Sequence, residues 1–436
     1  MKNGNTAKNI GHIPSSVRLF ISLAVSLSLL LSFGGIATGL ADNPAQPRNQ
    51  IVVISDIHLG VDDAFAEIKQ NKPMLVKFLM QLKSSQEVAE LVIAGDLMDE
   101  WFLPMNYETP EPLSELNDAI VKNNQEIIDT VNQIIQEGNI RVTYVPGNHD
   151  MLFDEGEAER IFPGINQTRD AVGLGTYRFS NIAVEHGHRY NIACAPDPLS
   201  NTAITGGGSI LPFGYFFTRI ATSSIMEGKP ASSNVFPEIS PAGMDDTQIN
   251  YFKYFMTWKG LMTALPVTES FSDKAIKTGI DGYTQPYAIS DVIPKMGEDG
   301  KLTVDLFSGI VENWQERQAI NNVPSPISAG DAIVGAAEAG FTDQQAQLQY
   351  FDQDASVKVV IFGHSHIAMV TTSKNLEGDS VISANSGTWI DHQPGAPTCT
   401  YVAVTPSQDG AKTSVVLYQF NADGTSTLLS EAQIDN

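Results

Sequence analysis

Five short motifs constrain what this chain can fold into more than any other feature. They are Asp56-Ile57-His58, Gly95-Asp96, Gly147-Asn148-His149-Asp150, His186-Gly187-His188 and Gly363-His364-Ser365-His366. All but the fourth fall at or just beyond the end of a predicted strand, where an α/β sheet presents side chains to a ligand. A fold that uses them must bring distant loops to one edge of a sheet. Together they supply oxygen and imidazole donors for a pair of metal ions, which requires one carboxylate shared between ions about 3.5–4 Å apart. Each motif has an ordinary alternative when taken alone. Asp96 after a glycine can be a turn residue, and His186 a satisfied surface imidazole. Their joint occurrence in this order favours the metal site.

The intervening pattern is that of alternating strands and helices. Ile51–Ser55 is an apolar run suited to a buried parallel strand, followed by Leu91–Ala94 and Arg141–Val145. Pro73 can open a helix through Lys83, with Met74, Leu75, Phe78, Leu79 and Leu82 on one face. The spacing of Leu116, Ile120, Ile127, Val131 and Ile134 predicts one long helix over 114–137, ended by Gly138. Thr176–Phe179 and Ile182–Glu185 form a hairpin-like pair across Ser180-Asn181. Val357–Phe362 is a further buried strand, preceded by a helix in which Thr342 and Gln345 resemble a capping box. Segments 380–385, 400–405 and 413–420 are β-like and suit a second sheet. Parallel βαβ units are the expected frame.

Residues 190–345 differ. Gly206-Gly207-Gly208 and several prolines interrupt them, and they hold the aromatic clusters Phe213-Gly214-Tyr215-Phe216-Phe217 and Tyr251-Phe252-Lys253-Tyr254-Phe255. A structureless loop of this length inside a compact domain is improbable. The segment is expected to be a mostly helical cap, inserted between His186 and His364 and therefore tethered beside the metal ligands. Its aromatics either build the cap's own core or contact a leaving group.

The 436 residues carry 26 basic and 50 acidic side chains, a net charge of −24. Such a balance repels a bare phosphate backbone and argues against nucleic acid as a partner. At the N-terminus Lys2, Lys8 and Arg18 precede the apolar run Leu19–Phe33, and small residues lead to Gly39-Leu40-Ala41. This is the pattern of a cleaved export signal over 1–41, whose removal takes the net charge from −24 to −27. The expected location is periplasmic or secreted, with an uncleaved membrane anchor as the alternative and the sole route to membrane contact. Cys194 and Cys399 are the two cysteines. They could bridge in an oxidising compartment or remain buried thiols.

The pieces Ser55–Gly60, Gly95–Trp101, Gly147–Asp150, Glu185–His188 and Gly363–His366 resemble the calcineurin-like metallophosphoesterase superfamily. The forms "DIHLG" and "GDLMDEW" look most like the subgroup around UDP-2,3-diacylglucosamine pyrophosphatase. The resemblance covers roughly 50–190 and 355–405 and leaves 190–345 unmatched. It implies an α/β fold, a β-sandwich of two mixed sheets flanked by helices, here with a large helical insertion. The divisions are then 1–41 (signal), 42–189 (first part), 190–345 (cap) and 346–436 (second part). It also implies site roles. Asp56, His58 and His366 would hold one ion, Asn148, His186 and His364 the other, and Asp96 would bridge both. His188, two positions from His186, competes for its role. The donor set lacks thiolate and suits Mn, Fe or Zn. His149 would be the general acid, oriented by Asp99, which is equally a helix N-terminal acid. Arg189 and Tyr190 are candidates to hold substrate phosphate.

The resulting expectation is an exported dinuclear-metal phosphoesterase acting by in-line attack of a metal-bridging hydroxide. Its substrate would be a phosphorylated small molecule or lipid-linked compound, cleaved as a diester, pyrophosphate or monoester. Two alternatives belong to other classes: a catalytically silent metal-binding protein of the same fold, and an exported nuclease.

Overall fold

The computed structural model describes residues 48–407 and 412–435. The proposed signal at 1–41 lies outside the described residues. The strands of the first half are β1 (Gln50–Ile54), β2 (Val88–Ala94), β3 (Arg141–Val145), β4 (Asn166–Gln167), β5 (Tyr177–Phe179) and β6 (Ile182–Val184). Then come β7 (Lys295–Met296), β8 (Leu302–Thr303), β9 (Val359–Phe362), β10 (Met369–Lys374), β11 (Ser380–Asn385), β12 (Thr400–Thr405), β13 (Thr413–Phe420) and β14 (Ser426–Ile434).

Two mixed sheets form the frame. One runs β14-β13-β12-β1-β2-β3-β4 and the other β10-β11-β9-β6-β5. β1, β2 and β3 are parallel, with Val53 opposite Val92 and Ile93 opposite Tyr144. Of the three C-terminal β-like segments, 380–385 joins the second sheet, whereas 400–405 and 413–420 extend the first. The reason is pairing: β12 runs antiparallel to β1, Ile51 against Val404, and carries β13 with it.

Side-chain alternation along β1 fills two layers at once. Val53 enters the core between the sheets with Val92, Val145, Val184, Ile361 and Val402. Val52 and Ile54 point the other way, against Leu75, Phe78 and Leu79 of the helix Lys72–Ser84 and Val131 of the helix Gln125–Glu137. The single helix expected over 114–137 is broken at Asn124. Its side-chain amide donates to the carbonyls of Gly60 and Ile120, and its backbone leaves helical geometry at φ −127°. The break fastens this helix pair to the loop that follows β1. Gly138 ends the second helix with φ 67°, as expected.

Thr342 caps nothing. The helix Phe341–Ala346 starts from Gly340, and Thr342 already lies inside it. This helix belongs to the frame, since Asp343 accepts from Asn385 Nδ2 at 2.7 Å and Ser365 Oγ at 2.7 Å. The division drawn at 345 therefore falls within a helix.

The segment from 190 to 340 has helices as its main regular elements, the longest Phe213–Met226 and Asp246–Ala264, joined by long irregular stretches. Its core contains Phe213, Phe216, Tyr254, Trp258, Phe307 and Trp314, and is continuous with Trp101, Met105 and Met151 of the frame. Those three flank the Gly95-Asp96 and Asn148-His149 loops, so the insertion is packed directly onto the site's supports. Buried Arg219 bonds the carbonyl of Tyr107, and that of Lys277 at 2.7 Å, which fastens the insertion to the 101–109 loop. Cys194 and Cys399 are both free. Among the described residues no helix is long and apolar enough to cross a membrane.

Candidate metal centre

The loops leaving the C-terminal ends of β1, β2, β3, β6 and β9 meet at one point. The loops after β1 and β2 keep pairing beyond their strands: His58 N donates to Asp96 O, and Leu59 N to Leu97 O, at 2.9 and 3.0 Å. Five site residues have left-handed backbone, with φ of 53° at Asp56, 54° at His58, 52° at Asp96, 68° at His364 and 60° at His366. Such conformations cost on the order of 1–3 kcal/mol each and persist where the surrounding structure enforces them. Two glycines permit the convergence. A Cβ on Gly147 would collide with the Asp96 carboxylate, and one on Gly363 would lie 2.7 Å from Asp56 Oδ2. Buried Asp150 staples two of the loops together, accepting from Gly147 N at 2.7 Å and Leu97 N at 2.8 Å.

One ligand atom each from Asp56, His58, Asp96 and His366 lies within 4.8 Å of all the others. His366 Nε2 is 3.1 Å from Asp56 Oδ1, and His58 Nε2 is 3.5 Å from Asp96 Oδ2. On the other side of Asp96, the same Oδ2 is 3.2 Å from His186 Nε2, which in turn is 3.0 Å from Asn148 Oδ1. The His186 Nδ1 faces Ala94 O at 2.9 Å, which fixes that nitrogen as the donor and turns Nε2 towards the cluster. His364 stands at the rim: its ring is 5.2 Å from that of His186, and its Nε2 is 3.3 Å from Asn191 Nδ2. His188 does not compete for the place of His186. Gly187, at φ 99°, ends the extended backbone, and His188 Nε2 turns to Gly173 O at 3.1 Å.

These donors fit divalent cations. The imidazole nitrogens of His58 and His366 face each other at 3.2 Å, an arrangement that needs a positive charge between them or a proton on one. Asp56, Asp96 and Asp99 are buried, and among the described residues none has a Lys or Arg ion-pair partner. Buried carboxylates without cations are costly. In the protein alone, imidazole protons take that part. Burial lowers His186, but Asp96 and Asp56 outweigh it and lift the residue to about 9. Burial also opposes the rise of His58, which Glu67 and Asp99 carry well above the usual imidazole value. His364, depressed by burial and by His186, lies at about 3.

His149 sits beside the cluster. Its Nδ1 is 2.8 Å from Asp99 Oδ1, its ring stacks on Trp101 at 5.0 Å, and Nε2 is the nitrogen left for the adjoining cavity. Burial disfavours the imidazolium, but Asp99 and Asp96 raise His149 above its ordinary value. Asp99 does not act as a helix N-terminal acid. It accepts from the amides of Trp101 and Phe102 at 3.1 and 2.8 Å, and its Oδ2 is 3.1 Å from His58 Nδ1. It therefore orients two imidazoles at once.

Arg189 and Tyr190 are not presented to the cluster. Both are buried. Arg189 pairs with Glu185 at 2.7 Å and Asp170 at 2.9 Å, while Tyr190 donates to Glu185 at 2.6 Å. An arginine engaged on both edges by carboxylates has no free fork for a phosphate. Sequence reasoning missed several supports: Glu67 at 3.4 Å from His58 Nδ1, Asn191 against His364, and the Asp343–Ser365–Asn385 set under the Gly363–His366 loop. None has a local signal, because each reaches the site from elsewhere in the chain.

The calcineurin-like phosphoesterase family model matches residues 50–212. Asp56, His58, Asp96, Asn148, His149 and His186 lie within the match, and His364 and His366 beyond it. No curated protein matches the chain. Among solved structures, the chain is similar to Pseudomonas putida nuclease MPE, with 15% identity over 34% of this chain and 56% of that one, at a TM-score of 0.20. It thus spans little more than half the length of that nuclease. An uncharacterized protein of Streptococcus pneumoniae TIGR4, described as a predicted phosphoesterase, is 10% identical over 90% of this chain and all of its own, at a TM-score of 0.28. The NAD nucleotidase of Haemophilus influenzae is 10% identical over 89% of this chain and 56% of its own, at a TM-score of 0.26. At these values the similarities say nothing of the reaction. Residues 50–212 are similar to the calcineurin-like phosphoesterases, and most of the converged donor loops fall within that match.

Proposed function

We propose that the protein is an exported phosphoesterase using two divalent ions. The observation that carries this reading is Asp96: one carboxylate oxygen stands within 3.5 Å of imidazole nitrogens on both of its sides, His58 and His186. Asp56, His58 and His366 would hold one ion, Asn148, His186 and His364 the other, and Asp96 would touch both. When bound, such a pair supplies a water nucleophile at neutral pH and neutralises charge on the phosphoryl oxygens. Mn, Fe or Zn suits these donors.

The chain's own residues do the rest. Asp99 holds the His149 ring and favours its proton. His149 Nε2 delivers that proton to the leaving oxygen. Trp101 covers the imidazole face and keeps water from it. Export is supported by the run Leu19–Phe33 behind Lys2, Lys8 and Arg18. The pyrophosphatase-like subgroup is supported by the forms "DIHLG" and "GDLMDEW" alone.

The test is elemental analysis of the purified protein together with hydrolysis of bis(p-nitrophenyl) phosphate and p-nitrophenyl phosphate. Two ions per chain, activity lost on chelation and activity restored by Mn, Fe or Zn are expected. One ion per chain removes the dinuclear reading. A fully loaded protein without turnover is instead a silent binding protein.

A further inference from the structure

A cavity of about 210 Å³ opens from the cluster towards the insertion. One end is formed by Asp96, Asn148, His149, His364 and His366. The other is mainly apolar, walled by Trp101, Phe213, Phe217, Leu261 and Ala336 beside the threonines Thr218 and Thr257. Much of the wall comes from two helices. Phe213 and Phe217 are four apart on the helix Phe213–Met226, as are Thr257 and Leu261 on the helix Asp246–Ala264, so each pair shares one face. Trp258 holds the first wall, its ring 5.8 Å from Phe213 and 6.0 Å from Phe217. Among the described residues no Lys or Arg lines the cavity.

We propose that this cavity is the leaving-group site, and that the substrate is a phosphate ester carrying one phosphoryl group and a compact, uncharged, ring-sized apolar alcohol. The proposal rests on the phosphoesterase reading above. Size bounds the occupant: a dry cavity of about 150 Å³ already accepts benzene. Here the phosphoryl group takes part of the space, which leaves room for about one ring. Charge bounds it further. A second phosphate would be buried against Phe213, Phe217 and Leu261 with no cationic side chain to pair it, and an unpaired buried anion is strongly disfavoured. This selects against nucleoside polyphosphates and pyrophosphates, and so against the pyrophosphatase-like subgroup that the motif forms alone support. His149 stands where the metal end meets the apolar end, the place where the ester oxygen of such a substrate must lie.

The test measures binding rather than turnover, with phosphonates whose C–P bond is not hydrolysed. Metal-loaded protein is titrated calorimetrically with phenylphosphonate and methylphosphonate. The phenyl compound should bind about tenfold tighter or more, because the ring leaves water. Leu261→Trp and, separately, Thr257→Phe fill the cavity from the helix's partly exposed face. Either variant that folds should lower phenylphosphonate affinity more than methylphosphonate affinity and so bring the ratio towards one. Equal affinity for the two ligands in the unsubstituted protein overturns the proposal, as does an equal loss of both in the filled variants. If neither phosphonate binds and the loaded protein hydrolyses no ester, the phosphoesterase reading itself has failed and the pocket assignment falls with it.

Discussion

Asp99→Asn isolates the pairing that gives His149 its proposed role. Asp99 Oδ1 accepts from His149 Nδ1 and from two backbone amides, all between 2.8 and 3.1 Å, inside a buried setting. Asparagine keeps one acceptor but loses the charge. Hydrogen bonds to ionised groups contribute about 1.5–3 kcal/mol, which corresponds to a loss of His149 protonation of roughly tenfold to a hundredfold. The sign follows from direction. His149 is raised in the folded protein, so it holds its proton below that raised value and loses it as pH rises through it. Removing the Asp99 charge lets burial lower the value, and the alkaline limb of kcat/KM should move to lower pH. At neutral pH an alkyl ester should be cleaved about ten to a hundred times more slowly, and a p-nitrophenyl ester much less so, because nitrophenolate leaves with little protonation. Asp99 also touches His58, so both proteins must be assayed at saturating metal. An unmoved alkaline limb, or equal losses for the two leaving groups, would refute the assignment.

Asp96→Ala should lower metal content towards one ion or none and abolish turnover; a retained pair of ions by elemental analysis would exclude bridging. His149→Ala should keep both ions and slow an alkyl ester by on the order of 10²–10⁴, with a smaller loss for nitrophenyl esters. Metal binding should release protons, because His186 at about 9 is protonated at neutral pH and must give up that proton to become a ligand. Affinity should then rise with pH up to about that value, and titrations in buffers of different ionisation enthalpy will show the released protons or their absence. Phe216→Ala, which removes a fully buried ring packed on Tyr283, Tyr287 and Phe307, should cost about 3–5 kcal/mol; an unchanged denaturation midpoint would show that the insertion's core is not structurally coupled to the rest.

The sequence alone determined the strands that carry the motifs. Ile51–Ser55 and Leu91–Ala94 are apolar runs buried on both faces, as is Val142–Val145 behind the exposed Arg141, and such strands announce themselves in one dimension. The helix end at Gly138 was legible as well, whereas the left-handed turn at Gly187, which sends His188 away from His186, was not. β10 and β14 were missed. Much of their length is exposed, so no hydrophobic period marks them. The split of 114–137 was missed because its cause, the bond from Asn124 to Gly60, lies 64 residues away. Contacts of that kind also decided the site. Asp56, His58, Asp96, His149, His186 and His366 were named from local motifs, but which nitrogen each imidazole turns inward depends on Ala94, Asp99 and Asn148, brought together only by strand pairing. Arg189 illustrates the reverse. Its position directly after His188 suggested a phosphate ligand, whereas packing gives it Glu185 and Asp170 as partners. An arginine's role depends on which carboxylate it meets, and that is a property of the folded chain.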